Sequence, residues 1–362
     1  MPFTDKELIV EKENGVVTVT LNRVEALNAL TLEMVRLVSK ALTRWEREAD
    51  VKAIVFKGAG ERAFCAGGDV KAAYTTGMDY RRDGTDERTI TLFYAEEYRL
   101  NRQLFHYTKP TFAFMNGITM GGGFGVAGPC RYRIATENTT FAMPETNIGF
   151  FPDVGSTYFL SRFPGESGTY LALTGNNIGP HDALWTGAAT HLINAQSINT
   201  CLDGIKEAAS KDAAQALFNK TLEEVAAPAP EKGPVEEKAA LIDRCFAANT
   251  VEDILSTLRA DNNAWAQETA RTIESRSPTS LKVTLAHLRK AKGADFNDVT
   301  ARDYVLAQHF MKGHDFYEGV RAALVDKDKA PQWEPSRLDT LTATEINKYF
   351  QPASFGLDEE AA

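Results

Sequence analysis

This 362-residue sequence lacks the patterns that mark several large classes of protein. It contains neither GxSxG nor HExxH, so serine-hydrolase and zinc-protease mechanisms are without their characteristic residues. No apolar run reaches the roughly 20 residues that a membrane-spanning helix needs. The four cysteines are scattered, with no CxxC pair and no neighbouring histidine: Cys65, Cys130, Cys201 and Cys245. We therefore expect no bound metal, no disulfide framework and a reducing compartment.

Basic residues are also in the minority. Lys and Arg total 40 against 49 for Asp and Glu, which leaves a formal net charge of −9. A phosphate backbone favours a basic face, so nucleic acid is not expected as a partner. The first residues, from Met1 to Glu7, show neither a secretory apolar core nor arginine-rich amphipathic character, and we expect a cytoplasmic protein without a membrane partner.

The first part of the chain alternates predicted strands and helices, which indicates an α/β class. The predicted elements are a hairpin at 8–21 turning at Asn14-Gly15, a helix beginning after Thr31, a strand at 53–56, a helix at about 89–105 and a strand at 111–115. Glycine turns follow at Gly67-Gly68, where Asp69 is a candidate helix cap, and at 121–125. Strand, glycine turn and helix thus occur twice, and free backbone N–H groups at such turns suit an anion or oxyanion.

The second part of the chain is predicted to be helical. Residues 226–235 are rich in proline and alanine, which is typical of a linker or an exposed loop. Beyond them helical periodicity dominates at 239–246, 251–258, 281–288 and 304–311. We predict a catalytic core at 1–225, a linker or exposed loop at 226–235, and a helical C-terminal module at 236–362.

Two carboxylates, Glu145 and Asp153, lie eight residues apart, and each directly follows a proline. Their neighbours are mostly apolar, and desolvation among such groups shifts the pKa of a carboxyl toward the range useful for acid and base catalysis. The alternative is structural, because turn residues and helix caps have the same composition and Asp153 precedes a possible helix start. The pattern alone leaves both interpretations open.

A dinucleotide-binding turn is a further alternative. Residues 123–128 spell GxGxxG, and Glu145 follows about 20 residues later. In that motif the strand runs straight into the first glycine, whereas Asn116-Gly117 interrupts the approach here. The match is therefore weak.

Several motifs together resemble the crotonase (enoyl-CoA hydratase/isomerase) superfamily. Residues 63–69 (AFCAGGD) and 116–123 (NGITMGGG) are similar to its two oxyanion-hole segments. Five segments resemble the 3-hydroxyisobutyryl-CoA hydrolase branch of that superfamily: 117–123, 141–146 (FAMPET), 149–155 (GFFPDVG), 277–282 (SPTSLK) and 314–321 (HDFYEGVR). The resemblance spans nearly the whole chain and implies an α/β fold with a crotonase-like ββα spiral core followed by a helical C-terminal module.

The resemblance also implies a set of site residues. The amides of Gly68 and Gly122 would hold the thioester oxygen, with Glu145 and Asp153 catalytic. Glu145 would attack the carbonyl or activate the attacking water, and Asp153 would bind the 3-hydroxyl or assist proton transfer. Glu97 matches a position beside the substrate, although a solvated helix face is its alternative. The residues implied at the CoA site are Ala26, Leu27 and Ala66, and the substrate-binding set is Glu97, Gly122, Glu145 and Asp153.

The implied activity is hydrolysis of a short-chain 3-hydroxyacyl-CoA, namely 3-hydroxyisobutyryl-CoA in valine catabolism. Hydratases of the superfamily carry a second glutamate where this sequence has Gly125. The absence of that carboxylate favours chemistry at the thioester carbonyl over chemistry at a carbon–carbon double bond. Enoyl-CoA hydration or isomerisation is the alternative, and a non-catalytic protein that binds acyl-CoA or another protein is a third. We expect no cofactor, because coenzyme A is part of the substrate, and superfamily members often form homo-oligomers.

Overall fold

The computed structural model describes residues 6–84, 89–211, 214–228 and 231–353. The strands are β1 (Leu8–Glu13), β2 (Val16–Leu21), β3 (Ala53–Gly58), β4 (Ala63–Cys65), β5 (Thr111–Met115), β6 (Ile118–Met120), β7 (Tyr132–Ala135), β8 (Thr140–Ala142) and β9 (His191–Leu192). The helices are α1 (Leu32–Arg47), α2 (Val70–Asp83), α3 (Thr89–Phe105), α4 (Gly122–Ala127), α5 (Ser156–Leu160), α6 (Ser167–Thr174), α7 (Pro180–Thr186), α8 (Ile198–Ala209), α9 (Ala214–Glu224), α10 (Pro234–Glu237), α11 (Ala239–Phe246), α12 (Val251–Ala260), α13 (Ala264–Glu274), α14 (Pro278–Ala291), α15 (Phe296–Lys312), α16 (Asp315–Val320) and α17 (Ala343–Lys348). In the ranges described, no helix is both long and apolar enough to cross a membrane.

The chain divides by internal packing into two compact units. Unit 1 comprises the described residues of Met1–Gly68, Arg99–Phe141 and Ile178–Glu237. Unit 2 comprises those of Asp69–Tyr98, Ala142–Asn177 and Lys238–Ala362. This division is discontinuous along the sequence, whereas the predicted boundaries at 1–225, 226–235 and 236–362 are sequential and stay a prediction. Two residues of the predicted linker, Ala229 and Pro230, lie outside the described residues.

Unit 1 is built on a six-stranded sheet in the order β1-β2-β3-β5-β7-β9. The β1–β2 pair is antiparallel and the pairs from β2 to β9 are parallel. Strands β2 and β5 are buried on both faces, which is typical of parallel strands covered on each side. Helices α8 and α9 cover one face with Cys201, Ile205, Phe218 and Leu222. A second sheet has the order β4-β6-β8.

Local sequence signals account for several elements of unit 1. The β1–β2 hairpin turns at Asn14 and Gly15, whose φ angles of 50° and 81° are the positive values that such a turn requires. Helix α1 begins after Thr31, whose side chain accepts a hydrogen bond from Met34 N–H. These elements confirm the predicted hairpin and helix, and β5 has the predicted bounds.

Unit 2 consists mainly of helices. The predicted segment at 239–246 corresponds to α11, and those at 251–258, 281–288 and 304–311 lie within α12, α14 and α15. Helix α2 is capped by Asp69, as predicted, through a 3.1 Å hydrogen bond from Ala72 N–H. Helix α14 begins with Pro278 after a Ser277 cap, and its buried face includes His287. The mixed α/β class and the helical C-terminal region are confirmed.

Candidate functional site

Two glycine turns follow neighbouring strands of the second sheet in unit 1. Strands β4 and β6 run parallel, with Cys65 opposite Thr119, so both turns leave the same sheet edge. Gly67 has φ +122°, and a Cβ atom placed on it would lie 3.7 Å from Gly122 N. The structure therefore brings together the two segments that the sequence predicts to form an oxyanion hole.

Most of the predicted second turn at 121–125 forms the start of α4, whose packing requires glycine at position 123. A Cβ atom on Gly123 would lie 2.1 Å from the carbonyl oxygen of Cys65, a separation that no side chain tolerates. Gly122 is the first residue of α4, so its N–H lies outside the bonding of the helix itself. The GxGxxG stretch begins within α4 and does not form a strand-to-helix turn, which argues against dinucleotide binding.

The predicted CoA-binding residues lie together in unit 1. A 3₁₀ turn at Val24–Ala26 leads to Leu27, whose carbonyl oxygen accepts a 3.0 Å hydrogen bond from Ala66 N–H. Asn28 fixes this loop from the inside, because its Nδ2 donates to the carbonyl oxygens of Ala59 and Ala63 at 3.0 and 2.8 Å. Leu27 and Asn28 both have positive φ, which the sequence analysis did not anticipate.

The predicted acids lie together in unit 2. Glu97 is on α3, Glu145 begins the 3₁₀ turn at Glu145–Ile148, and Asp153 follows Pro152. Their exposed fractions are 2%, 7% and 5%. Glu97 is therefore not on a solvated helix face, which was the structural alternative for that residue. Among the described residues, Glu97 Oε1 and Glu145 Oε2 have no hydrogen-bond partner.

The backbone after the second acid is strained. Val154 has φ +54°, and a β-branched residue rarely adopts a positive φ. Such strain persists only where the surroundings hold the segment, and it concentrates at functional sites. The cap of α5 is Gly155, without a side-chain hydrogen bond, so the interpretation of Asp153 as a helix cap is wrong.

Burial raises the pKa of all three acids. The pKa of Glu145 is well above its usual range because of desolvation, followed by the charges of Asp153 and Glu97. Desolvation and the charge of Asp153 also raise the pKa of Glu97. The net pKa of Asp153 is raised to about 7, with desolvation as the largest cause and the charge of Asp303 acting in the same direction. Since the three acids influence one another, they titrate as a group.

Two residues of this cluster were missed by the sequence analysis. The hydroxyl of Tyr98 donates a 2.6 Å hydrogen bond to Asp153 Oδ2, and this bond lowers the pKa of Asp153. Asp303, on α15, accepts a 2.7 Å hydrogen bond from Gly155 N–H. The position of Tyr98 next to Glu97 was a weak indication that it lies near the acids. Asp303 is 150 residues from Asp153 in sequence, and no local pattern indicates it.

Aromatic side chains pack around the same segment. Phe150 stacks on Tyr94 with ring centroids 5.3 Å apart and lies 5.5 Å from Phe316. Phe151 lies 5.3 Å from Phe310. The rings thus make the segment between Glu145 and Asp153 part of an apolar core, the kind of surrounding that desolvates a carboxyl.

The features of the two units match a known protein family. A sequence model described as enoyl-CoA hydratase/isomerase matches residues 16–350. The chain belongs to the enoyl-CoA hydratase/isomerase family. Within it, the chain is 41% identical over 347 residues to a Danio rerio protein named 3-hydroxyisobutyryl-CoA hydrolase, mitochondrial, covering 95% of this chain and 89% of that protein. The Homo sapiens protein of the same name is 39% identical over 349 residues, with 96% and 89% covered.

A solved structure of the family extends the likeness to the fold. It is a carnitinyl-CoA dehydratase from Mycobacterium thermoresistibile, with a TM-score of 0.87 and 38% identity, covering 97% of this chain and 98% of that one. Because the match includes the helical C-terminal region, the predicted crotonase-like fold is confirmed along nearly the whole chain.

Proposed function

We propose that this chain hydrolyses the thioester of a short-chain 3-hydroxyacyl-CoA, with 3-hydroxyisobutyryl-CoA as substrate and 3-hydroxyisobutyrate and CoA as products. The observation that carries the proposal is the buried pair Glu145 and Asp153, whose pKa values are both raised and which are held in different hydrogen-bond environments. The names of the relatives from Danio rerio and Homo sapiens support the same substrate.

In the proposed reaction the Gly68 and Gly122 amides hold the thioester oxygen while negative charge develops on it. One such donor is worth about a hundred- to a thousandfold in rate, and it needs no side chain. The close packing of Gly67 against Gly122 supports this role, because it fixes the two turns with respect to each other.

Glu145 acts on the carbonyl carbon, either as nucleophile or as the base that activates water. In both routes the C–S bond breaks, the sulfur leaves as CoA thiolate and takes up a proton, and water supplies the hydroxyl of the acid product. Asp153, with a pKa of about 7, is suited to give and take that proton near neutral pH or to bind the 3-hydroxyl. The pKa values of both glutamates are raised, so Glu97 would contact the acyl group as a hydrogen-bond donor, whereas Glu145 must lose its proton before it acts on the carbonyl.

The remaining assignments follow from the same proposal. Ala26, Leu27 and Ala66 would border the CoA moiety, and the reaction needs no cofactor besides the CoA of the substrate. We place the activity in valine catabolism and keep the cytoplasmic location and a homo-oligomeric state as predictions. The two curated relatives are named mitochondrial, so cell fractionation with an antibody to this chain is the test of location.

A hydro-lyase reaction is the second candidate, favoured by the dehydratase name of the solved relative. Such chemistry needs an acid and a base across the carbon–carbon double bond. The chain has Gly125 in the short helix after the second glycine turn, where no carboxylate is available.

Both candidates are tested by assaying thiol release from acyl-CoAs with and without a 3-hydroxyl, beside an ultraviolet assay of enoyl-CoA hydration. We expect thiol release that prefers the 3-hydroxyl and is lost in Glu145→Gln and Asp153→Asn. Glu96→Gln, which changes the neighbour of Glu97 on α3, is the matched control. Rapid hydration without thiol release contradicts the proposal, as does near-full thiol release by both folded variants.

A further inference from the structure

Two buried groups with opposite electrostatic effects act on Asp153, one by direct contact and one bonded to the loop that follows it. The first is Tyr98, which is 1% exposed and donates its hydroxyl hydrogen to Asp153 Oδ2 at 2.6 Å. This bond fixes the rotation of the carboxylate, because Asp153 must present one oxygen to the tyrosine. A hydrogen bond donated to a carboxylate also favours its charged form.

The second group is a buried acid that anchors the strained loop after Asp153. Asp303 Oδ2 accepts the Gly155 N–H bond, and Asp303 Oδ1 lies 2.6 Å from His287 Nε2. The side chains of both His287 and Asp303 are completely buried. Thr157 Oγ1 lies 3.0 Å from the same ring nitrogen. The Asp303 carboxylate is therefore fixed by partners on α14 and on the loop itself.

We propose that Tyr98 and Asp303 are positioning residues for Asp153. Tyr98 orients its carboxylate through a direct hydrogen bond, and Asp303 holds the loop that follows it through Gly155 N–H. The inference deepens the proposed function, on which its catalytic consequence rests. The geometric claim concerns the resting protein and does not depend on the substrate.

The balance between the two groups agrees with the pKa of Asp153. Desolvation raises this pKa, the Tyr98 hydrogen bond lowers it, and the charge of Asp303 raises it, with the result at about 7. A carboxyl with this pKa is populated in both forms at neutral pH, as proton transfer requires. The titratable groups that face or adjoin Asp153 are Tyr94, Glu97 and Tyr98 on α3, Glu145 in its 3₁₀ turn, His287 on α14 and Asp303 on α15.

The two positioning residues predict shifts of opposite sign. Tyr98→Phe removes the donor and keeps the ring, so the pKa of Asp153 should rise by about one pH unit. Asp303→Asn removes the charge and keeps an oxygen that accepts from Gly155 N–H, so the pKa should fall by a similar amount. A merely structural role would not move the titration of one carboxyl in two directions.

The experiment is a carbon-13 NMR titration of protein labelled at the aspartate carboxyl carbon, with Asp153→Asn used to identify the resonance of Asp153. The controls are Tyr170→Phe, which removes a buried hydroxyl bonded to Asn176, and Asp182→Asn, which removes a buried carboxylate that accepts from Val235 N–H. We expect both controls to leave the Asp153 titration within about 0.2 pH unit of the unsubstituted protein.

Shifts of the same sign, or no shift in Tyr98→Phe, overturn the proposal. If Asp303→Asn does not fold, Tyr98→Phe alone decides, because the upward shift is required. The pH profile of thiol release is recorded in parallel and should move with the NMR value. Opposite NMR shifts without thiol release from any acyl-CoA would leave the positioning intact and reject the proposed function, whereas thiol release without the shifts would reject only the positioning.

Discussion

The glycine turns of unit 1 and the acid cluster of unit 2 differ in the kind of polar group that each presents. The turns present backbone N–H groups, whose charge distribution is the same at every pH. The acid cluster presents three buried carboxyls, whose pKa values are raised by the loss of water around them. The turns therefore depend on close packing of the backbone, and the acids depend on protonation.

The two regions also differ in what they do to stability. A glycine in a crowded turn fits its surroundings and favours the folded state. A buried carboxylate opposes folding, because burial removes its hydration without supplying an ionic partner. Glu145 has one oxygen without a hydrogen-bond partner in the described part of the chain, which lowers the free energy of unfolding. Such a group calls for an explanation other than stability, such as binding or catalysis. Three substitutions separate these contributions.

The largest effect is expected for the acid that acts on the carbonyl. Glu145→Gln keeps the size of the side chain and removes its ability to attack or to accept a proton. We expect thiol release to fall about a thousandfold, since general-base or nucleophilic roles contribute factors of this size. The measurement is kcat/KM for thiol release at pH 8. If a folded Glu145→Gln variant keeps more than about a tenth of the kcat/KM of the unsubstituted protein, Glu145 is neither the nucleophile nor the base.

A smaller loss of activity, with a loss of stability, is expected in the glycine turn. In Gly123→Ala the new methyl group meets the Cys65 carbonyl oxygen, so the backbone of the second turn must move. A displacement of this size costs about a hundredfold in rate and about 3 kcal/mol in the free energy of unfolding. Gly179→Ala is the control, because open space surrounds Gly179 and its φ is −85°. Thermal unfolding and thiol release are measured for both variants. If Gly123→Ala and Gly179→Ala have the same Tm and the same rate of thiol release, the turn is not tightly packed.

The smallest effect is a gain of stability that depends on pH. The pKa of Asp153 rises from 3.8 toward about 7 on folding, so its ionisation opposes folding as pH increases through this window. Asp153→Asn removes that cost and should raise Tm by about 3 °C above pH 7, with the gain disappearing near pH 4. Unfolding curves at pH 4, 6 and 8 test the sign of the change in Tm. If folding stabilises the Asp153 carboxylate, Asp153→Asn lowers Tm at pH 8 instead of raising it.

Much of the fold follows from local patterns in the sequence. The Asn14-Gly15 turn, the Thr31 cap and the apolar strand at Thr111–Met115 each depend on neighbours within a few residues. Such signals act at short range, so the sequence predicts them well. The two-unit division could not be predicted in the same way, because each unit collects three separated segments.

The candidate site residues also differ in how far the sequence indicates them. The sequence indicates Glu145 and Asp153 through their prolines, and the family resemblance indicates the glycine turns. The sequence does not show whether the acids are buried, because Phe150, which lies between them, packs against Phe310 and Phe316, about 160 residues further along the chain. The positive φ of Val154 was likewise not evident, since a β-branched residue disfavours it.

By itself the sequence indicated the family, the first hairpin, several helices and strands with short-range signals, and the two acids after their prolines as candidates. Only the tertiary structure decided how those acids ionise. Hydrogen bonds and charges act through space, and Tyr98 and Asp303 reach Asp153 from helices that are 55 and 150 residues away along the chain. The pKa of a buried group is set by the atoms packed around it, and sequence proximity specifies few of them.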